Sequence, residues 1–412
     1  MPGALSLISQ NLCFASRLAA VVCMLIAISA CATQMFVPST IESHGFEQRA
    51  LSQTEDFVKV TAAVPSPEEV IELFGIDLYA DGIQPVWLNV ENTGDKHVRV
   101  TMFSIDEDYY SPLEVAWLYR KRFTKSSRRS LERWLLDNTL PRFIPAGGSR
   151  SGFVFTHTSV GTKGFNVDVY TDLTAMNFTF FVPLPGFQPD YMNVDFKNLY
   201  QDDEIIRGDL DTLRRMLSDM PCCTTDESSE AFGDPLNIVI VGTPEAVRRS
   251  LLRGQWQETE ANSPVTRIAR THFYRGRQPD GTFHKARPDG RERKELRLWR
   301  APILVDGEAV WLGHVSYDMS GALFSLDMAN YQIDPDVDDA RMFVLQNFWY
   351  NQSLRGFAMA DGIPPAAIEA PHTNFHGSDY FTDGMRAVLL VSEEPVAMDE
   401  TEILVWETYV SK

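Results

Sequence analysis

The chain has 412 residues and a formal net charge of −19, and 44% of its residues are hydrophobic and 11% aromatic. This composition is typical of a folded globular protein and excludes a disordered chain, while the length predicts two or three domains. Because an acidic chain repels the phosphates of nucleic acid at long range, we expect no nucleic-acid partner.

Near the start of the chain, directly after Arg17, lies an apolar stretch without charge that extends from Leu18 to Ala30. Its 13 residues are too few to cross a hydrocarbon core, which needs roughly 20. A basic residue, a short apolar segment and small residues at its end are the parts of a secretory signal. The stretch ends in Ile28-Ser29-Ala30-Cys31. That ending resembles the signal of bacterial lipoproteins, which implies lipid attachment to Cys31.

The lipoprotein resemblance implies that residues 1–30 are a signal peptide and that the protein is lipid-anchored in the bacterial cell envelope. Ala32 follows the cysteine where aspartate commonly marks retention in the inner membrane, so the resemblance favours an outer-membrane protein facing the periplasm. Ala30-Cys31-Ala32 also fits the small-x-small pattern of ordinary signal cleavage. The alternative is therefore a secreted protein with a spare cysteine.

The other cysteines exclude a scaffold of several disulfides. Cys13 and Cys23 lie in the predicted signal, which leaves only the adjacent pair Cys222 and Cys223. In an oxidising compartment this pair is expected to be reduced, to form a vicinal disulfide or to bind a soft metal. The sequence leaves these three alternatives open.

The first half of the mature chain has the pattern of a β domain. Residues 31–60 are polar and mixed, which predicts a tether. From 61 to 188, short alternating runs such as Val86–Val90 and Val98–Phe103 predict an immunoglobulin-like β-sandwich. Within it, Ser111-Pro112-Leu113-Glu114 supplies a capping serine, an early proline and a glutamate, and predicts an inserted helix.

The second half predicts a helical connector over 189–232 and an α+β domain over 233–412. Helical spacing from Asp209 to Leu217 supports the connector. The domain opens with a near-continuous apolar strand that ends at Gly242, followed by a helix. Further strands, one of them from Phe324 to Met328, and a helix from Pro335 to about Tyr350 follow. The chain is therefore expected to be mostly β, in the α+β class.

About 180 residues of this segment carry motifs whose order and spacing resemble the LssY C-terminal domain, which occurs in bacterial envelope proteins. The motifs are Asp234–Gly242, Gly254-Gln255-Trp256, Arg275-Gly276-Arg277, Leu296–Arg300, Val310–Gly313, Ile333–Asp338 and Asp379–Gly384. The resemblance implies a fold and an envelope setting, without an established activity. Lys294-Glu295 and Asn330-Tyr331 stand where the family pattern has histidines, so no metal or acid–base role is implied there.

A basic stretch from Val247 to Arg300 contains 14 basic and six acidic residues. Arginines interleaved with aromatic residues are suited to bind phosphate or carboxylate groups. The candidates for such an anion site are Arg275, Arg277, Arg297 and Arg300. The alternative interpretation is that alternating acids and bases pair across a sheet.

The acidic run Asp334–Asp339 suggests a calcium-binding loop, but it does not meet the sequence requirements of an EF-hand. Such a loop needs glycine at its sixth position and glutamate at its twelfth, where this chain has Asp339 and Leu345. We interpret the run as a helix start, with Asp334 as the N-cap and Pro335 at the first helical position.

Histidines give no recognisable metal motif. His372 and His376 are four residues apart, but the surrounding segment is rich in helix breakers. His314 lies in a predicted strand, where a hydrogen-bonded structural histidine is the simpler interpretation. We therefore expect no metal and no cofactor.

The leading functional prediction is an envelope protein that binds or scaffolds, with another envelope protein or an anionic ligand as its partner. The alternative is a hydrolase or binding enzyme acting on an anionic envelope substrate, with the arginines for recognition and His314, Asp336 and Asp338 for chemistry. The enzyme interpretation requires basic and acidic groups to converge around one pocket.

Overall fold

The structure is a computed structural model that describes residues 35–37, 45–286, 293–318 and 333–406. Its residues form two compact units, residues 1–158 with 166–178 and residues 159–165 with 179–412. The fold is mostly β with interspersed helices, which confirms the predicted α+β class. Within the described ranges, none of the helices has the length and apolarity that crossing a lipid bilayer requires.

Two four-stranded sheets account for the β structure in the first part of the chain. Their orders are β1-β2-β3-β6 and β5-β4-β7-β8. The predicted runs Val86–Val90 and Val98–Phe103 lie in β3 and β4. The strands are β1 (Leu51–Glu55), β2 (Val58–Ala63), β3 (Ile83–Asn92), β4 (Val98–Thr101), β5 (Phe143–Ile144), β6 (Gly148–His157), β7 (Thr162–Tyr170) and β8 (Ala175–Pro183).

Three helices share a core with the first of these sheets. They are α1 (Pro67–Phe74), α2 (Pro112–Tyr119) and α3 (Lys125–Asp137). The inserted helix predicted at Ser111 is α2, and its capping box is present: Ser111 accepts from the Glu114 N–H, and Glu114 accepts from the Ser111 N–H, each at 3.2 Å. Phe74 packs edge-on against Trp134 of α3 and Phe153 of β6. The immunoglobulin-like topology stays a prediction.

The prediction of a tether over residues 31–60 needs correction. Phe36 is 6% exposed and Phe46 is fully buried, and Gly45–Arg49 form a 3₁₀ helix. Strand β1 pairs with β2 in an antiparallel register that joins Leu51 to Ala62. Mixed polarity suggested a loose segment, but this segment contributes large aromatic residues to the core. Only five positions separate Cys31 from buried Phe36.

A long sheet organises the second unit. Its order is β13-β14-β15-β16-β12-β20-β17-β21, and β9 pairs with β15. Two small antiparallel pairs, β10-β11 and β18-β19, complete the described strands. The strands are β9 (Ile206–Gly208), β10 (Cys223–Thr225), β11 (Phe232–Pro235), β12 (Ile238–Val241), β13 (Gln257–Glu258), β14 (Gly281–Ala286), β15 (Arg293–Val305), β16 (Glu308–Asp318), β17 (Leu354–Asp361), β18 (His372–Thr373), β19 (Asp379–Tyr380), β20 (Met385–Val391) and β21 (Glu402–Leu404).

Strand β12 is apolar throughout because both faces of this sheet are covered. Ile238 and Ile240 belong to one core cluster, whereas Val239 and Val241 belong to another. The first cluster includes residues of α5 (Pro244–Arg253) and α7 (Val337–Tyr350), and the second includes residues of α4 (Leu210–Leu217). Between α5 and α7 the chain forms a short helix, α6 (Pro264–Ala269). Alternate side chains of a strand point to opposite faces, so helices on both sides produce a continuous apolar run.

The predicted connector over 189–232 is part of the second unit. Leu213 and Leu217 of α4 are fully buried in the second cluster, and β9 pairs in parallel with β15. Helical spacing identified α4 correctly, but the boundary after residue 232 divides elements that share one core. The predicted strand Phe324–Met328 lies outside the described residues, as do 407–409 at the end of the predicted last strand.

Candidate functional site

A cluster of fully buried ionisable side chains lies in the second unit, and we call it the Asp234 centre. Its members, each 0% exposed, are Asp234, His272, Glu295, Arg297 and His314. Asp234 is on β11, and Glu295 and Arg297 are two residues apart on β15, which puts them on one face. Arg297 stands directly opposite His314 of β16 in the antiparallel register. Strand pairing therefore builds most of the centre.

Arg297 joins the two carboxylates of the centre. Its Nη1 donates to Asp234 Oδ2 at 3.0 Å, and its Nε donates to Glu295 Oε1 at 2.7 Å. The other oxygen of Asp234 accepts from Asn374 Nδ2 at 2.7 Å. A buried charge is tolerated only with such partners, because desolvation is otherwise too costly.

Both histidines of the centre face the Asp234 carboxylate. His272 Nε2 lies 2.9 Å and His314 Nε2 lies 3.4 Å from Asp234 Oδ2. The Nδ1 of His314 lies 2.7 Å from the Pro235 carbonyl, which accepts only an N–H, so Nδ1 carries a proton. Burial lowers the pKa of both imidazoles, that of His272 to about 4.

The Asp234 carboxylate is ionised although it is buried. Burial opposes its ionisation, but His314, His272 and the Arg297 guanidinium hold its pKa well below its ordinary value. At neutral pH the centre therefore contains an ionised carboxylate beside neutral His272.

Thr271 connects the centre to the surface. Its hydroxyl oxygen lies 3.2 Å from His272 Nδ1 and 3.2 Å from Nε2 of His376, which is partly exposed. The hydroxyl also lies 2.7 Å from the Ile268 carbonyl, to which it can donate. Asp234, His272, Thr271 and His376 thus form a continuous polar chain from the interior outward.

Two adjoining grooves open beside this chain, and we call them together the double groove. Thr271 and Phe375 line the first, of about 620 Å³, and Arg277 lines the second, of about 500 Å³. Both are lined by Arg270, Phe273 and Gln278. The acidic residues that line them are Asp190, Asp195, Asp226, Glu227 and Asp280. Since the bases are only Arg270 and Arg277, the lining carries excess negative charge.

Comparison with protein families finds a match within the second unit. Residues 214–385 match the family model described as LssY C-terminus. We call residues 214–385 the LssY C-terminal domain after this match. The predicted resemblance is thereby confirmed over this range, which includes the whole Asp234 centre and leaves out Cys31. No curated protein matches the chain.

Of the four arginines proposed from sequence, only Arg297 belongs to the Asp234 centre, whereas Arg277 and Arg300 both lie beside Asp280. Arg297 is interior, whereas Arg275 is exposed and lies 6.0 Å from the Tyr274 ring. Arg277 pairs with Asp280. Arg300 is partly buried over Trp311, and burial lowers its pKa. Arg277 and Arg297 therefore form ion pairs, but these are not the pairs across a sheet that the alternative interpretation expected: Asp280 is three residues from Arg277, and Glu295 is on the same strand as Arg297.

The acidic run of the LssY C-terminal domain starts a helix, but with a different cap. Asp336, and not Asp334, is the N-cap of α7, and it accepts from the N–H groups of Asp338 and Asp339, each at 3.2 Å. Asp338 in turn accepts from the Thr382 hydroxyl at 2.7 Å. In the described ranges, no three histidine, cysteine, aspartate or glutamate side chains are arranged to hold a metal ion.

Cys222 and Cys223 form a vicinal disulfide, one of the three alternatives that the sequence left open. Cys223 is buried on β10 of the LssY C-terminal domain, and the Leu236 N–H donates to the Cys222 carbonyl at 2.8 Å. Cys31 lies outside the described residues.

Sequence reasoning missed Asp234 and His272 as members of a site. Both are in segments that had been singled out, Asp234 in the motif of the resemblance and His272 among the interleaved aromatic residues. The available signal was only a single carboxylate and a single histidine, about forty positions apart in the chain, with nothing in the sequence that joins them. Only the pairing of β15 with β16 brings His314 to the same carboxylate.

Proposed function

We propose that the protein is anchored by a lipid on Cys31 to the outer membrane, faces the periplasm, and works there by binding or scaffolding a partner protein. Its LssY C-terminal domain supplies the binding surface. The proposal combines the signal pattern at Cys31 with the state of the ionisable groups in that domain.

The observation that carries the proposal is that the residues predicted for recognition and chemistry are engaged in separate contacts within the domain and do not all line one pocket. Arg297 bridges Asp234 and Glu295 in the interior. Asp336 caps a helix, and Asp338 accepts hydrogen bonds from Thr382 and the Asp383 N–H. An enzyme of the predicted kind needs its carboxylates, its histidine and its arginines around one pocket. Asp336 and Asp338 line a groove of about 500 Å³, but neither His314 nor any of the four proposed arginines is among the residues that line it.

The double groove is the surface best suited to a partner. Partly buried Phe273 and Phe375 offer apolar area, and Arg270 and Gln278 offer polar contacts. Interfaces are anchored by aromatic residues and arginine. Because the lining has excess negative charge, a polypeptide with basic and apolar side chains suits it better than an anionic ligand does.

In-cell photo-crosslinking tests this role. A photoreactive amino acid in place of Gln278, which is exposed and lines both grooves, should yield a discrete crosslinked species. Phe273→Ala should reduce its yield by about tenfold or more, since an aromatic anchor contributes ~2 kcal/mol. The same amino acid at exposed Arg150 is the control. The absence of a discrete species at position 278 would contradict the proposal.

A hydrolase acting on an anionic envelope substrate is the second candidate, and the polar chain favours it. The steps from Asp234 to His272, Thr271 and His376 measure 2.9, 3.2 and 3.2 Å. A neutral imidazole beside an ionised carboxylate has the protonation state of a general base. Turnover of an aryl phosphate or aryl acetate that is lost in His272→Gln would establish this candidate and overturn the binding role.

A further inference from the structure

Helices α2 and α3 form a segment whose charge is opposite to that of the whole protein. From Pro112 to Asp137, which we call the basic hairpin, there are seven basic and three acidic residues, in a chain whose net charge is −19. The bases are Arg120, Lys121, Arg122, Lys125, Arg128, Arg129 and Arg133. A local excess of this kind is an electrostatic footprint for an anionic partner.

The outer face of α3 presents this charge to solvent. Lys125, Arg129 and Arg133 are exposed and four residues apart, which places them along one face of the helix. Leu131 and Leu135 are buried on the opposite side. Within the described residues, no acidic side chain forms an ion pair with any of these three bases. Their charge is therefore available to a partner.

The outer face of α2 adds large apolar side chains. Leu113, Trp117 and Leu118 are 53%, 64% and 52% exposed. The Arg120 guanidinium lies 3.8 Å from the centre of the Trp117 ring. Exposed tryptophan and leucine together with basic residues are the composition of helices that lie in a membrane interface.

The N-terminal end of the described chain lies against the same hairpin. The Phe36 N–H donates to the Ser127 hydroxyl at 3.1 Å, and the Phe36 ring is 6.0 Å from that of Phe123 and 6.1 Å from that of Trp134. Its neighbour Met35 is 79% exposed. Five residues of chain reach at most about 18 Å, so a lipid on Cys31 would hold the hairpin close to the bilayer.

We propose that the basic hairpin is a docking surface for an anionic phospholipid bilayer, with Leu113, Trp117 and Leu118 entering the interface and the basic side chains contacting headgroups. The inference rests on the proposed lipid anchor for its location in the cell, but the surface itself is defined without it. A lipid chain and a basic patch act together, because a single anchoring signal gives only marginal membrane binding.

Vesicle co-sedimentation tests the surface without the lipid. The chain from residue 31 onward with Cys31→Ala is mixed with vesicles of phosphatidylcholine, either alone or with one third phosphatidylglycerol. We expect binding to the anionic vesicles only, with a partition that falls as salt rises. The triple variant Lys125→Glu, Arg129→Glu, Arg133→Glu should lose about 30-fold or more in partition, since each base near such a surface contributes about fivefold.

A matched triple variant distinguishes the effect of the basic hairpin on vesicle binding from the effect of the overall net charge. Lys96→Glu, Arg150→Glu and Lys197→Glu change the net charge by the same amount at exposed positions elsewhere, and anionic-vesicle binding should fall by less than about threefold because these positions lie outside the docking face. Leu113→Ser with Trp117→Ala should weaken binding without removing its salt dependence. The proposal is overturned if the two triple variants lose vesicle binding equally, or if the chain with the unchanged hairpin does not bind anionic vesicles. Failure of the anchor itself would be seen separately, as a wild-type chain that takes up no fatty acid.

Discussion

The Nε2 atom of His272 lies 2.9 Å from Oδ2 of Asp234, and neither side chain has any exposed surface. The two residues come from different strands and loops of the LssY C-terminal domain, so their approach depends on the complete fold. A contact of this kind links the protonation of one imidazole to the stability of the whole domain.

The first prediction concerns pH. His272 has a folded pKa of about 4, below the ordinary value of 6.5, so between these values the unfolded chain binds a proton that the folded chain does not. The contribution of His272 to the free energy of unfolding should therefore fall as pH decreases through this window, by about 2 kcal/mol between pH 7 and pH 5. Urea unfolding at both pH values measures it.

His272→Gln should flatten this pH dependence, whereas His97→Gln at an exposed position should leave it unchanged. Burial also lowers the pKa of His314 and His376, which adds to the slope, and it raises the pKa of Asp190 to about 6, which opposes the slope; the difference between wild type and His272→Gln therefore isolates the contribution of His272. An undiminished slope in His272→Gln would show that folding does not lower the pKa of His272.

The second prediction concerns Arg297. Arg297→Met removes the cation that bridges the buried carboxylates of Asp234 and Glu295, and this should lower the free energy of unfolding by about 3–5 kcal/mol. Arg249→Met removes a partly exposed ion pair with Glu245 and should cost less than about 1 kcal/mol. Equal effects of the two substitutions, measured by urea unfolding, would mean that Arg297 carries no structural charge pair.

The elements of the fold with strong local signals could be predicted from the sequence. The capping box at Ser111 and the apolar run of β12 depend on neighbouring residues alone, and both are present. The domain boundary could not be found in this way, because α4 has helical spacing whether it is a linker or part of a core. Its buried Leu213 and Leu217 are determined by contacts with distant strands.

The candidate site could not be predicted from neighbouring residues in the sequence, for a similar reason. The sequence predicts Arg297 as an anion-binding residue because arginines interleaved with aromatic residues suit phosphate and carboxylate groups. Its burial follows from its position on a sheet that is covered on both faces, between Glu295 of its own strand and Asp234 of another. The N-cap of α7 shows a smaller error of the same origin, since either Asp334 or Asp336 satisfies the local preference and tertiary contacts select Asp336.

The third prediction concerns the cysteines. Trypsin cleavage after Arg215 and Arg248 should release one peptide that contains both Cys222 and Cys223. From protein purified from the cell envelope without reductant, mass spectrometry should find this peptide lighter by two hydrogen atoms than the same peptide after reduction. A peptide of unchanged mass, or one alkylated at both thiols before reduction, would contradict the vicinal disulfide.

The central claim is that Cys31 carries a lipid. Such an anchor would locate the LssY C-terminal domain in the cell envelope and hold the basic hairpin near a membrane. Metabolic labelling with a radioactive fatty acid measures it directly. The account predicts that the wild-type protein carries the label and that Cys31→Ala does not, while both are made in similar amounts. A wild-type protein without label, or a Cys31→Ala variant that still carries it, would contradict the account.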